Sequence, residues 1–317
     1  MLLPLVWAAC AVAGYLYANQ QHIPLALAAK LFPAIILEAT FYSILGIERW
    51  RNRTEKLPSG LLALALTGAA LAPYAAATLA LGSFSYRSLL WIAVLAAAAS
   101  FWHVLLPHKP ASDLFFLLLM AIVMVAHIFP QLYPSPHPKI PLQTLGQLMW
   151  IRTGALAMLS IRKVRGVGFG FWPESREWKI GAIYYAVSLP ALAALAWWIH
   201  FARPRMPSGW ERTSFLAIAT FFGTLWVIAL GEEFVFRGLL QQWLSTWLAS
   251  EWIGLLAASI LFGSVHLWFS HFPNWRFFAL ATFQGIFYGL AFRQARGIRA
   301  SMVTHALVVT TWRVFFV

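Results

Sequence analysis

The chain has 317 residues, of which 61% are hydrophobic and only 10% charged, and its mean hydropathy is +0.72. These values exclude a soluble domain and identify an integral membrane protein. The formal charge of +13 does not point to nucleic acid, because the basic residues are scattered in loops between apolar runs, the pattern of membrane topology and anionic lipid contact.

Runs long enough to cross ~30 Å of hydrocarbon fall at 1–18, 23–46, 59–82, 88–106, 113–131, 144–161, 180–201, 213–232, 252–269, 277–292 and 301–317. They predict an all-α, polytopic helix bundle of roughly 10–11 transmembrane helices. The first run lacks a basic flank and a small-residue cleavage site, so it reads as a retained helix. Its Cys10 is the only cysteine, which excludes an intramolecular disulfide and any Cys-based metal site. Residues 1–140 form a first domain of Ala/Leu-rich helices in which Lys30 and Glu38 are the polar exceptions. Eight residues apart, these two are read as snorkelling ends or helix-interface contacts rather than a pair. Arg152 makes the run at 144–161 the weakest.

The Pro-rich piece Tyr133-Pro134-Ser135-Pro136-His137-Pro138 is predicted to be a linker to a second domain, 141–317. The glycines of Gly166-Val167-Gly168-Phe169-Gly170 superficially suggest a phosphate loop, but no βαβ pattern surrounds them and no Lys-Ser/Thr follows. A turn at the membrane interface anchored by Trp172 and Trp178 is the expectation. Three basic clusters, Arg49/Arg51/Arg53/Lys56, Arg162/Lys163/Arg165 and Arg293/Arg296/Arg299, fall on one side, which the positive-inside rule makes cytoplasmic. Arg203, Arg205 and Arg212 fall on the other, against the rule.

The chemistry concentrates in the last third. Leu230-Gly231-Glu232-Glu233-Phe234-Val235-Phe236-Arg237 places three charges at the end of an apolar run. A charge at bilayer depth costs ~2.5–3.5 kcal/mol or more and marks a partner, a pathway or chemistry. Glu233 and Arg237 are four apart and share a helix face, so they can pair. Glu232 is offset by ~100° and remains available as a base. His266 ends one apolar run and His305 begins another. His103, His127 and His200 have no acidic neighbours in sequence and are read as packing residues.

Elimination narrows the options. Asp113 is the only aspartate, which excludes a two-aspartate protease. The chain has no H-E-x-x-H and no G-x-S-x-G. Ser264 and His266, two residues apart, face different ways on a helix and make no dyad. What remains is a glutamate that takes a proton from water, with histidines that orient the water or stabilise an oxyanion. The alternative is a divalent metal, zinc, held by Glu232, His266 and His305. A proton-coupled transporter using the same cluster as a relay is a further reading.

E-E-x-x-x-R at Glu232, Glu233 and Arg237, then F-x-x-x-H at Phe262 and His266, then His305 in a late apolar helix, resembles the CAAX-protease and bacteriocin-processing family. The resemblance is confined to about 213–317. It implies a polytopic, glutamic-type intramembrane endopeptidase in which Glu232 activates water while His266 and His305 orient it or stabilise the tetrahedral intermediate. No cofactor is expected. The substrate would be a membrane-anchored or lipidated protein or peptide, and membrane lipids are the other partners. The family's third motif has Asn or Asp four residues after the histidine, whereas here Val309 stands there. That departure removes an oxyanion donor and admits an inactive scaffold or immunity factor as an alternative. Trp312, on the same face, is expected to meet substrate. The run His305-Ala306-Leu307-Val308-Val309-Thr310 looks like a branch associated with protein sorting, in the cell membrane of bacteria.

Overall fold

The computed structural model describes residues 2–205 and 209–316, so Met1 and Val317, the outermost residues of the first and last apolar runs, lie outside it. Among the described residues all regular structure is helical, with one isolated bridge between Pro204 and Phe316. The environment dictates this. Inside hydrocarbon every backbone N–H and C=O must be satisfied within the segment, which a helix does by itself.

Two compact units divide the chain, Met1–Val164 and Arg165–Val317. The first contains α1 (Leu2–Gln20), α2 (Leu25–Gly46), α3 (Glu48–Thr54), α4 (Ser59–Leu81), α5 (Tyr86–Leu105), α6 (Pro110–Val125), α7 (Ile128–Leu132) and α8 (Gln143–Leu156), the last continued by π turns over Ala157–Ile161. The second contains α9 (Ser175–Trp198), the single long helix α10 (Trp210–Trp247), α11 (Glu251–Val265), α12 (Trp275–Ala295) and α13 (Ile298–Phe315).

Among the described residues, six helical stretches, α2, α4, α5, α9, α10 and the α11 segment to Trp268, are long and apolar enough to cross a membrane. That is fewer than the apolar runs alone suggest, for local reasons. The run at 113–131 is broken at His127, which adopts φ 50° between α6 and α7. In α12 and α13 the helices are long enough but carry arginines and the polar residues of the site. The multi-pass, all-α bundle itself stands.

The units part at 164/165, not near 140. The Pro-rich piece is a turn inside the first unit, where Tyr133 is buried and meets Tyr74 edge-on at 5.3 Å. The reason is Arg152. Its Nε and Nη2 donate to the two carboxylate oxygens of Glu38 at 2.9 and 3.1 Å, and Nη2 also reaches the carbonyl of Ala69 at 3.3 Å. Both partners are fully buried, so α8 is tied to α2 and α4 by the charge that makes it a poor apolar run. Glu38 is thus an ion-pair partner, with Arg152 rather than Lys30. His103, expected to lack an acidic neighbour, lies 3.8 Å from Asp113, which in turn accepts two bonds from Arg162 at 2.9 and 3.0 Å.

In the second unit, α9 packs on both α12 and α13, and α11 packs on α12. A capping box of Glu174 and Glu177 starts α9, and Arg299 of α13 pairs with both acids at 3.1 and 2.9 Å. These contacts seat the helices that carry the candidate site.

Removing one partner of a buried pair leaves an uncompensated charge. Glu38→Gln is therefore expected to lower stability by about 3–5 kcal/mol, whereas Glu38→Met combined with Arg152→Met recovers most of it. Thermal unfolding in detergent measures both, and a single variant as stable as the parent contradicts the pairing.

Candidate active site

Helix α10 does not end at the two glutamates, where its apolar run ends. It continues to Trp247, with π turns over Thr224–Ala229 and Phe234–Gln241 on either side of the short α turn Leu230–Glu233. Wide turns of this kind re-aim side chains and recur at functional sites. The helix can carry these charges because Glu233 and Arg237 neutralise each other and Glu232 keeps 36% of its side-chain surface exposed.

Arg237 Nη1 donates to Glu233 Oε1 at 3.2 Å, and neither side chain has exposed surface. Nη2 donates to the carbonyl of Gly285 on α12 at 3.2 Å. The guanidinium carbon lies 4.4 Å from the centroid of Phe262 and 5.2 Å from that of Tyr288. The cation is thus held by a carboxylate, a carbonyl and two aromatic faces, each electrostatically favourable. Phe262, half of the sequence pair with His266, serves as packing and as a cation–π face.

The same Glu233 oxygen faces Nδ1 of His305 at 2.8 Å. A carboxylate partner fixes a proton on Nδ1 and orients the ring. Tyr288 stacks on that ring at 4.6 Å and 13° between planes, and Phe262 meets it edge-on at 5.9 Å. His305 Nε2 points toward Glu232, 3.8 Å from Oε2, which is beyond direct hydrogen-bond distance. A water bound to either group is within reach of the other.

His266 stands at the C-terminal end of α11. Its Nδ1 lies 2.7 Å from the carbonyl of Phe262, which can only accept, so Nδ1 carries the proton and Nε2 of the neutral ring is an acceptor. Phe262 and Phe277 meet the ring edge-on, each at 4.7 Å. Ser264 donates instead to the carbonyl of Ile260 at 2.8 Å.

The two glutamates differ sharply. Glu233 is fully buried, whereas the side chain of Glu232 keeps 36% of its surface. In each of the two, Oε2 has no hydrogen-bond partner among the described residues, so exposure is what separates them. Val309 is half-buried one turn beyond His305. Trp312 packs between Phe201 and Phe316 at 5.0 and 5.7 Å and lines an apolar cavity with Val308 and Thr311. Among the described residues, no group of three or more His, Cys, Asp and Glu converges closely enough to hold a metal ion, Glu232, His266 and His305 included.

The Gly-rich segment is a strap, not a phosphate loop. Val167 accepts from the Ile298 amide at 2.9 Å, and Gly168, at φ +61°, lies against Gly297 so closely that a Cβ would stand 2.6 Å from its Cα. Phe169 meets Phe234 edge-on at 5.2 Å, and Trp226 donates to the Phe171 carbonyl at 3.1 Å. Trp172 and Trp178, expected as membrane anchors, pack on Trp226 and Phe221 of α10 at 5.2 and 6.0 Å. The segment therefore fixes α10 against the start of α13.

Two contributors escape a reading of spacing alone, the Tyr288 ring and the Gly285 carbonyl, both on α12. A Cβ on Gly285 would stand 3.1 Å from Ser259 and 3.2 Å from Arg237 Nη2, so a larger residue would crowd the guanidinium by a few tenths of an ångström. The small residues Gly285 and Gly289, four apart, are the one signal of close helix approach in that run.

Residues 213–311 match the family model described as Rce1-like, type II CAAX prenyl endopeptidase. No curated protein and no solved structure matches the chain. The matched interval begins in α10 and ends in α13, and it contains every site residue described above. The segment 213–311 that carries them is thus similar to the type II CAAX prenyl endopeptidases of the CAAX-protease and bacteriocin-processing family.

Proposed function

We propose that the chain hydrolyses a peptide bond in the C-terminal tail of a membrane-anchored or lipidated protein, of CAAX type or of a sorting tail, in a bacterial cell membrane, with Glu232 as the base. The observation that supports this most is the asymmetry of the two carboxylates. Glu233 is buried, with its Oε1 taken by both Arg237 and His305, while Glu232 keeps 36% of its side-chain surface and has no such partners. The sorting branch and the bacterial setting rest on the resemblance of the His305 segment.

In this reading a water between Glu232 and the substrate carbonyl gives a proton to Glu232 as its oxygen bonds to the carbonyl carbon, and the π pair moves onto the carbonyl oxygen. Neutral His266 accepts the water's second O–H at Nε2 and so aims it. His305, protonated on both nitrogens, donates from Nε2 to the oxyanion. Its charge and that of Arg237 balance the two glutamates. Collapse of the intermediate breaks the C–N bond, and Glu232 returns its proton to the leaving nitrogen. Preorganised donors and bases of this kind contribute about 10²–10⁴-fold each.

The chemistry is proposed to run without a bound metal, with Glu232 as the base. Elemental analysis of active, purified protein is expected to find no stoichiometric zinc. Zinc whose removal abolishes activity and whose return restores it contradicts this.

Glu232→Gln is expected to abolish turnover with little change in detergent melting. Glu233→Gln frees a buried guanidinium and is expected to cost about 3–5 kcal/mol of stability. A fully active Glu232→Gln enzyme ends the proposal. Val309→Asn adds an amide donor on the His305 face and is expected to keep or raise turnover. His266→Ala is expected to lower it by at least about 10²-fold. Normal cleavage of a defined substrate by His266→Ala would show that His266 only packs.

A further inference from the structure

Below the catalytic cluster on α10 lies a second polar site that the proposed hydrolysis does not use. A cavity of about 380 Å³ is lined by Gln241, Gln242 and Ser245 of α10 and by Glu251, Arg293 and Arg296. Its volume is that of a small-molecule site, about 300–1,000 Å³. Arg293 pairs with Glu251 at 2.7 Å, and its guanidinium carbon lies over the Trp252 ring at 4.3 Å from the centroid. Arg296, in the left-handed turn at φ 58° that ends α12, is exposed, and its guanidinium has no ion pair or hydrogen bond among the described residues. Two arginines against one glutamate leave a single excess positive charge in the cavity.

The wall holds a second clue. Gln241 is only 5% exposed, its Nε2 donates to the Gly289 carbonyl at 3.3 Å, and its Oε1 is buried with no partner. A buried acceptor of this kind calls for a donor. The ligand must therefore carry one negative charge for Arg296 and a hydrogen-bond donor for Gln241. The surroundings set its source. Trp243 and Trp247, next in sequence to the lining residues Gln242 and Thr246, stack at 6.1 Å, and Trp247 and Trp252 stay exposed, the aromatic belt that marks headgroup depth.

We propose that this cavity binds the headgroup of an anionic phospholipid with a hydroxylated alcohol, of which phosphatidylglycerol is the simplest. The phosphodiester meets Arg296, with Arg293 behind it, and a glycerol hydroxyl donates to Gln241. Basic pockets between membrane helices are suited to such headgroups. Occupancy bears on the active site through one helix face. Gln241 follows Arg237 by four residues, and the bonds Arg237–Gly285 and Gln241–Gly289 are successive rungs between α10 and α12. A filled cavity holds the rung next to the guanidinium that supports Glu233.

The test is lipid retention, which does not depend on activity. The full chain is extracted with equal amounts of phosphatidylglycerol and phosphatidylcholine, and bound lipid is read by native mass spectrometry. Phosphatidylglycerol is expected to be retained preferentially. Arg296→Gln, a change at an exposed site, is expected to weaken retention roughly tenfold or more, and Arg296→Lys to restore part of it. Equal retention of both lipids, or by parent and Arg296→Gln, overturns the proposal. Soluble glycerophosphoglycerol is expected not to displace the lipid at millimolar concentration. If it displaces the lipid freely, the ligand is a free phosphodiester and the lipid source is wrong.

Discussion

The second unit is organised around a cation that cannot reach water. Arg237 has no exposed surface in a helix that lies among apolar neighbours. An isolated charge there is prohibitive, so its surroundings must supply an anion, a carbonyl and aromatic faces. Glu233 provides the first, Gly285 the second, and Phe262 and Tyr288 the third. Because these lie on α10, α11 and α12, satisfying one guanidinium draws three helices together. The carboxylate that neutralises Arg237 also grips His305, which brings in α13. The geometry of the candidate site is thus a consequence of burying one charge.

The first unit uses the same device without visible chemistry. Glu38 and Arg152 are fully buried and bidentate, and Asp113 gathers Arg162 and His103. What differs is the neighbour. No second, partly open carboxylate stands beside the Glu38 pair, while Glu232 stands beside the Glu233 pair. The contrast explains why adjacent glutamates matter. One removes the charge problem, which leaves the other free to act.

The sequence made part of this legible, and the limits have physical causes. The Glu233–Arg237 pair follows from helical periodicity, since residues four apart must meet when both are buried. The freedom of Glu232 follows from the same geometry. The grip of Glu233 on His305, 72 positions away, does not, because no local rule relates the faces of α10 and α13. For the same reason Glu38 looked isolated, as its partner Arg152 is 114 residues distant. The boundary near 140 was drawn on prolines, which mark turns but not the limits of packing. Tyr288 is not legible because an aromatic in an apolar run carries no mark of stacking on the His305 ring.

The central claim is that Glu233 holds a proton on His305 Nδ1 and so aims Nε2 at Glu232. Nitrogen NMR of the chain labelled at its nine histidines, with His305→Gln to assign the signal, reads that proton directly. The account predicts a protonated, strongly hydrogen-bonded Nδ1 on His305 whose signal changes in Glu233→Gln and persists in Glu232→Gln. A bare Nδ1 with the proton on Nε2 alone, or a signal indifferent to Glu233, would contradict it.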